Sequence, residues 1–182
     1  RRAGKEATHH KNAATDIPLA VPKSFSVAAL YDPKLREALK EAFAKTAEHV
    51  ETHVKGRQTQ DGKTELVDGK MVAGMFFHST SRAGDAHMHA HLVVCNVVER
   101  PDGTYSTLEN RSLFAAQKEI QQELYSRVAI AAKECGYGIE LTSNKGGMVV
   151  PEIAAISQEV KDQFSKRHND ITAANRDNIQ ER

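Results

Sequence analysis

The sequence predicts an α+β fold in which an antiparallel sheet carries helices mainly on one face. Three observations predict it. The runs Val72–Phe77 and Leu92–Val98 are apolar and read as strands, and segments 33–54 and 110–134 keep apolar residues at helical spacing. Turn signals, among them Asp61-Gly62, Pro101-Asp102-Gly103 and Asn144-Lys145-Gly146-Gly147, separate short strand-like pieces. The resulting order is strand, helices, strands, long helix, strands, helices.

Each element has a local warrant. Residues 1–14 are basic and polar without periodicity, a flexible tail or linker. Asp16–Pro22 is a short apolar run containing proline, as an edge strand tolerates. Ser24 is placed to cap a short helix through Leu30, and Asp32-Pro33 starts the next one with an N-cap and a proline at the first helical position. That helix buries Leu35, Leu39, Ala42, Phe43, Thr46, Val50 and Val54 on one stripe. Residues 56–70 form a hairpin or loop excursion. Val72–Phe77 is apolar on both faces, as in an interior strand covered on both sides. Residues 89–99 are a second strand, and Thr104–Thr107 pairs back by a hairpin. Asn110 can cap a long helix that Gly136 ends. A last hairpin joins Tyr137–Thr142 to Met148–Val150, and the chain is helical again from Pro151. The core is 15–156, with 157–182 a charged helical extension.

Bulk properties exclude several function classes. At 182 residues the chain is one domain or a domain with an appendage. A net charge of +1 creates no global field for nucleic acid, so a polyanion would need a local patch. Cys95 and Cys135 are too few for a disulfide framework and suit a reducing, cytoplasmic setting. No apolar run approaches membrane-spanning length and no signal-peptide pattern is seen. The chain opens on Arg1 and reads as a piece of a longer protein.

The chemistry concentrates where the two central strands meet. Four of the nine histidines lie at His78, His87, His89 and His91. In an extended strand His87, His89 and His91 share a face, and His78 joins them if its strand lies alongside. Imidazoles from two adjacent strands can hold a divalent metal with an open coordination position. A second pair, His49 and His53, has i, i+4 helical spacing. A zincin-type site needs its glutamate directly after the first histidine, whereas Glu51 comes one place later, so this pair reads as surface decoration. Two chemical classes compete: a cupin-like metalloenzyme acting on a small molecule, and a metal-dependent nuclease or DNA strand transferase. The cupin type requires an almost wholly β chain and an acidic ligand soon after the histidines. Here Leu, Val, Val, Cys and Asn follow.

His78-Ser79-Thr80-Ser81-Arg82, then Met88-His89-Ala90-His91-Leu92-Val93-Val94-Cys95-Asn96, resembles the metal-site region of conjugative relaxases of the MobF (TrwC/TraI-like) type, in the HUH endonuclease superfamily. That pattern runs H-x-T-S-R, six more residues, then H-x-H, an apolar triplet and Asn. Asp16 before Pro22-Lys23-Ser24 is similar to the family's D-x5-P-K-S segment. Leu108-Glu109-Asn110-Arg111, Leu124-Tyr125 and Phe164-Ser165-Lys166-Arg167 also match, so the resemblance extends from Asp16 to about Ile171.

The resemblance implies a two-layer HUH-type sandwich with His78, His89 and His91 as metal ligands. The register of Leu92–Asn96 leaves His87 as the odd histidine. Asp16 becomes the carboxylate that orients a ligand histidine and helps accept the nucleophile's proton. Lys23 and Arg82 become phosphate contacts. The cation is divalent, magnesium or manganese first, with zinc a further option. The implied activity is nicking and strand transfer on single-stranded DNA at a transfer origin in plasmid conjugation. A tyrosine upstream of the fragment forms a 5′-phosphotyrosyl link and leaves a 3′-hydroxyl. The four tyrosines present, Tyr31, Tyr105, Tyr125 and Tyr137, do not occupy that segment, and Tyr125 reads as a packing residue. The fragment alone is therefore expected not to nick. Relaxosome proteins are the implied partners, the protein is expected to be monomeric, and the compartment is the bacterial cytoplasm. A relative that binds metal and DNA without catalysis is the alternative within the family.

Overall fold

Proline placement, helix caps and left-handed turn residues set most of the element boundaries. The computed structural model describes residues 12–165. Strand β1 (Ala14–Ala20) gives way at Pro22 to helix α1 (Lys23–Tyr31). Helix α2 (Pro33–Glu51) starts on Asp32, whose carboxylate accepts from the backbone N–H of Lys34 at 2.8 Å and Leu35 at 3.1 Å. Strands β2 (Lys55–Gln60) and β3 (Lys63–Asp68) are joined by Asp61 and Gly62, with φ of 51° and 74°. Two left-handed residues are what a two-residue hairpin turn needs. Strand β4 (Lys70–Thr80) and the long β5 (Ala86–Glu99) follow, then the short β6 (Tyr105–Ser106) and helix α3 (Asn110–Glu134). Strands β7 (Ile139–Ser143) and β8 (Val149–Ile153) make a last hairpin before helix α4 (Gln158–Gln163).

The main sheet is antiparallel, in the order β1-β5-β4, with β6 pairing the far end of β5. Burial along β5 alternates from Ala86 to Val94, so its residues divide between two faces. Met88, Ala90, Leu92 and Val94 point into the core with Ile17 and Leu19 of β1. Phe25 of α1, Leu35, Leu39 and Phe43 of α2, and Ile120, Leu124 and Val128 of α3 cover that face. Burying each such side chain contributes about 1.5–3 kcal/mol. The other face of β5 carries His87, His89, His91 and Val93, all partly exposed. Helices on one face of an antiparallel sheet are the architecture the sequence predicts, and they leave no place for a cupin-type barrel.

Several local expectations are corrected. Ser24 does not cap α1, which has no side-chain cap; its hydroxyl accepts from the N–H of Ile153 at 2.9 Å. Ser26 accepts from the N–H of Met88 at 2.9 Å, so α1 is tied to both β8 and β5. Glu109, not Asn110, caps α3, while the Asn110 side-chain oxygen accepts from Thr15 Oγ1 at 2.7 Å. Pro151 lies inside β8 rather than starting a helix. Strand β4 is an edge, not an interior strand, and its Val72 and Phe76 are 54 % and 57 % exposed. The apolar run reflects one covered face, where Phe77 meets Phe43 edge-on with ring centroids 5.8 Å apart. Most of the basic tail and all of 166–182, including Lys166, Arg167 and the pair His9-His10, lie outside the described residues.

Candidate metal and nucleic-acid site

Cross-strand register brings the histidines together. His78 of β4 is the direct partner of His89 of β5, and Phe76 is the partner of His91. Directly opposed residues share a face. The three rings form a triangle with centroid separations of 5.1 Å (His78–His89), 5.6 Å (His78–His91) and 5.3 Å (His89–His91). The register shift between His78 and Thr80 ends the regular pairing just beyond His78. The turn to β5 is closed by Ser81, whose N–H donates to the Asp85 carbonyl and whose hydroxyl accepts from the N–H of Ala83 and Asp85. Gly84, with φ of 79°, supplies the left-handed residue there.

Hydrogen bonds orient two of the rings. His91 Nδ1 lies 2.7 Å from Asp16 Oδ2, and His89 Nδ1 lies 2.9 Å from the backbone oxygen of His87. Both acceptors require the proton on Nδ1, which leaves Nε2 of each ring as a lone-pair donor. Three imidazoles, two of them with fixed tautomers, are a donor set suited to a divalent transition-metal ion. The residues present therefore fit a metal.

The other predicted site residues fall in different places. Asp16 stands on the histidine side of β1, opposite Val93. Arg82 is exposed in the β4–β5 turn, at the same end of the sheet as His78. Lys23 points inward: its Nζ donates to the carbonyls of Ala86 at 2.7 Å and Phe164 at 2.8 Å. Burial lowers its pKa, opposed by the charge of Asp85. The ammonium thus ties α1 to the start of β5 and to the end of α4, and most of its donor capacity is already committed. Tyr125, on α3, belongs to the helical layer, across the sheet from the histidines, and burial raises its pKa.

Three features carry no signal in the sequence. The His87 carbonyl orients His89, and the His87 ring stacks on His89 with centroids 4.5 Å apart. A carbonyl has no residue-type signature, so only the strand geometry reveals it. Phe76 lies exposed on the histidine face, its ring passing over Gly74, where an added Cβ would approach it to 3.3 Å. Beside His78 a cleft of about 440 Å³ opens between α1, α2 and β4, with Arg36 and Lys40 on its wall.

A three-histidine cluster with a carboxylate partner, set on an antiparallel sheet backed by helices, is the arrangement expected of a relaxase-type domain. The TrwC relaxase family model matches residues 1–182, and the chain belongs to that family. It is 28 % identical over 183 residues to the multifunctional conjugation protein TraI of Escherichia coli, covering 87 % of this chain and 10 % of that protein. The K12-strain TraI is 27 % identical over 150 residues, covering 76 % and 8 %. Among solved structures, the copper-bound conjugative relaxase TrwC in complex with oriT DNA superposes with a TM-score of 0.81 at 29 % identity, over 95 % of this chain and 60 % of that one. TrwC complexed with a 27-mer DNA comprising the recognition hairpin and cleavage site gives 0.80 at 29 % identity, over 95 % and 62 %. The chain thus spans about a tenth of these curated relatives and about three-fifths of the solved chains.

Proposed function

We propose that this chain carries the metal site of a DNA strand transferase that nicks and rejoins single-stranded DNA at a transfer origin during plasmid conjugation. The observation that carries the reading is the oriented cluster, in which Asp16 holds His91, the His87 carbonyl holds His89, and His78 stands opposite on β4. His78, His89 and His91 would hold the metal through their ring nitrogens. When bound, the cation supplies charge neutralisation at the scissile phosphate. Imidazole donors favour first-row transition ions, whereas magnesium favours oxygen ligands, so we assign manganese to zinc ahead of magnesium.

The chain's own groups do the rest. Asp16 keeps the His91 proton on Nδ1 and, lying beside the cluster, can receive the proton that a tyrosine hydroxyl loses on attacking phosphorus. By the family resemblance that tyrosine precedes Asp16. Arg82 can contact a flanking phosphate, and Phe76 offers an exposed ring for a base to stack on. Lys23 is withdrawn from the DNA contacts because its donors hold backbone carbonyls. Relaxosome proteins and the bacterial cytoplasm are the matching partners and setting. No helix among the described residues is long and apolar enough to cross a membrane.

The test is a nicking assay of the full-length protein on a single-stranded origin oligonucleotide with manganese. His89→Ala is expected to lower the rate at least about 100-fold, with the fold retained by circular dichroism. Unchanged nicking by His89→Ala would overturn the assignment, and a wild-type protein that binds the oligonucleotide without cutting would favour an inactive relative.

A further inference from the structure

A second histidine cluster lies in the helical layer, across the sheet from the strand histidines. His49 stands in the last turn of α2, and helical bonding continues past the end of the helix. The N–H of Thr52 donates to the His49 carbonyl and that of His53 to the Val50 carbonyl, at 3.1 Å and 3.0 Å. His53 therefore still follows His49 by one turn, and both rings face α3. There Glu119 completes a triangle: Nε2 of His49 and His53 are 3.4 Å apart, and each is 3.5 Å from Glu119 Oε1.

These spacings match a metal's requirements. Tetrahedral zinc with bonds of about 2.0–2.1 Å holds its ligand atoms about 3.3–3.4 Å apart. The triangle can thus be one face of a zinc tetrahedron with only small adjustment. The imidazoles are about one-quarter and one-fifth exposed, while Glu119 is 63 % exposed. The fourth position therefore opens to solvent. Glu51, the carboxylate between the two histidines, is turned away and accepts from the N–H of Met71 at 3.1 Å. It is not available to activate a metal-bound water.

We propose that His49, His53 and Glu119 form a second, structural site for a zinc-class divalent ion, which clips the end of α2 to α3. Two neutral imidazoles and one carboxylate suit zinc, cobalt, nickel or copper rather than magnesium or calcium. A ligand that binds only the folded chain stabilises it by mass action. At free zinc about a hundred times the dissociation constant, Tm should rise by about 5–10 °C.

The experiment uses the full chain carrying His78→Ala, His89→Ala and His91→Ala, which removes the three predicted strand ligands but leaves His9, His10, His87 and His168. Zinc is titrated by calorimetry and thermal shift, and cobalt by its visible absorption. The expected result is one equivalent of bound zinc, a raised Tm and a tetrahedral cobalt spectrum. Adding His53→Ala, or the exposed and fold-neutral Glu119→Gln, should weaken binding at least about 10-fold. The proposal is overturned if the strand variant binds no zinc, or if both added substitutions leave affinity unchanged, which would place the zinc on other histidines. Because His78, His89 and His91 are absent throughout, the outcome is independent of the relaxase assignment.

Discussion

Asp16 of β1 and His91 of β5 meet at 2.7 Å although 75 residues separate them. They are not direct cross-strand partners: Asp16 faces Val93 and His91 faces Pro18, so the bond runs diagonally across the ladder. Asp16→Ala should weaken manganese or zinc binding at the strand cluster about 10–100-fold by freeing the His91 tautomer. Calorimetric titration measures it, with Asp16→Asn expected to fall between the two. Equal affinity in all three proteins would leave Asp16 without a role at the metal.

Phe76 supplies a second test. Its ring is exposed on the histidine face, and base stacking on such a ring contributes about 1–3 kcal/mol. Phe76→Ala should weaken binding of a single-stranded origin oligonucleotide by that amount in fluorescence anisotropy. Phe77→Ala should instead lower stability, because that ring packs on Phe43. A Phe76→Ala protein with undiminished DNA affinity would remove the stacking contact.

The Tyr137 hydroxyl donates to Asp32 Oδ2 at 2.8 Å and joins the end of α3 to the start of α2. That bond, with the backbone bonds to the same carboxylate, lowers the Asp32 pKa, while burial and Asp32 push Tyr137 up to about 12. A lowered carboxylate stabilises the fold above its unfolded pKa, and that stability is lost as pH falls through the folded value. A raised phenol stabilises the fold below its usual 10.0, and that contribution is lost as pH rises to about 12. Tm should therefore fall both below about pH 4 and between about pH 10 and 12. Tyr137→Phe should lower Tm at neutral pH and flatten the alkaline fall. Parallel alkaline curves for the two proteins would contradict this.

Gly69, at the corner between β3 and β4, is crowded rather than flexible. A Cβ there would collide with Val98 Cγ1 and come within 2.8 Å of the Glu99 carbonyl oxygen. Gly69→Ala should cost about 1–3 kcal/mol, seen as a lower urea midpoint. Gly62→Ala at the exposed hairpin tip meets no neighbour and strains only its own backbone. A Gly69→Ala midpoint equal to wild type would show that the corner yields.

The elements legible in the sequence were those with a local cause. Asp32-Pro33 marks the start of α2 and Gly136 follows the end of α3, because caps and breakers act within a turn. The histidine pairing is readable from period-two alternation wherever β4 and β5 lie side by side. What the sequence hid depends on partners far along the chain. Ser24 reads as a cap but serves Ile153, and Lys23 reads as a phosphate ligand but serves Ala86 and Phe164. Nor does hydrophobicity distinguish an edge strand with one covered face from an interior one, so the run in β4 reads as interior although the strand lies at the edge. His49 and His53 read as surface residues because Glu119, the group that gathers them, lies on another helix.

The alternation along β5 couples the core and the histidine face in one strand. Even-numbered residues from Met88 to Val94 build the core, and the odd-numbered ones between them carry the histidines. A one-residue insertion or deletion near Ala90 cannot damage one set and spare the other, since it exchanges their faces: imidazoles would enter the apolar layer and core residues would turn to the exposed side. The spacing from His89 to Val94 is therefore held by the core as much as by the histidine cluster.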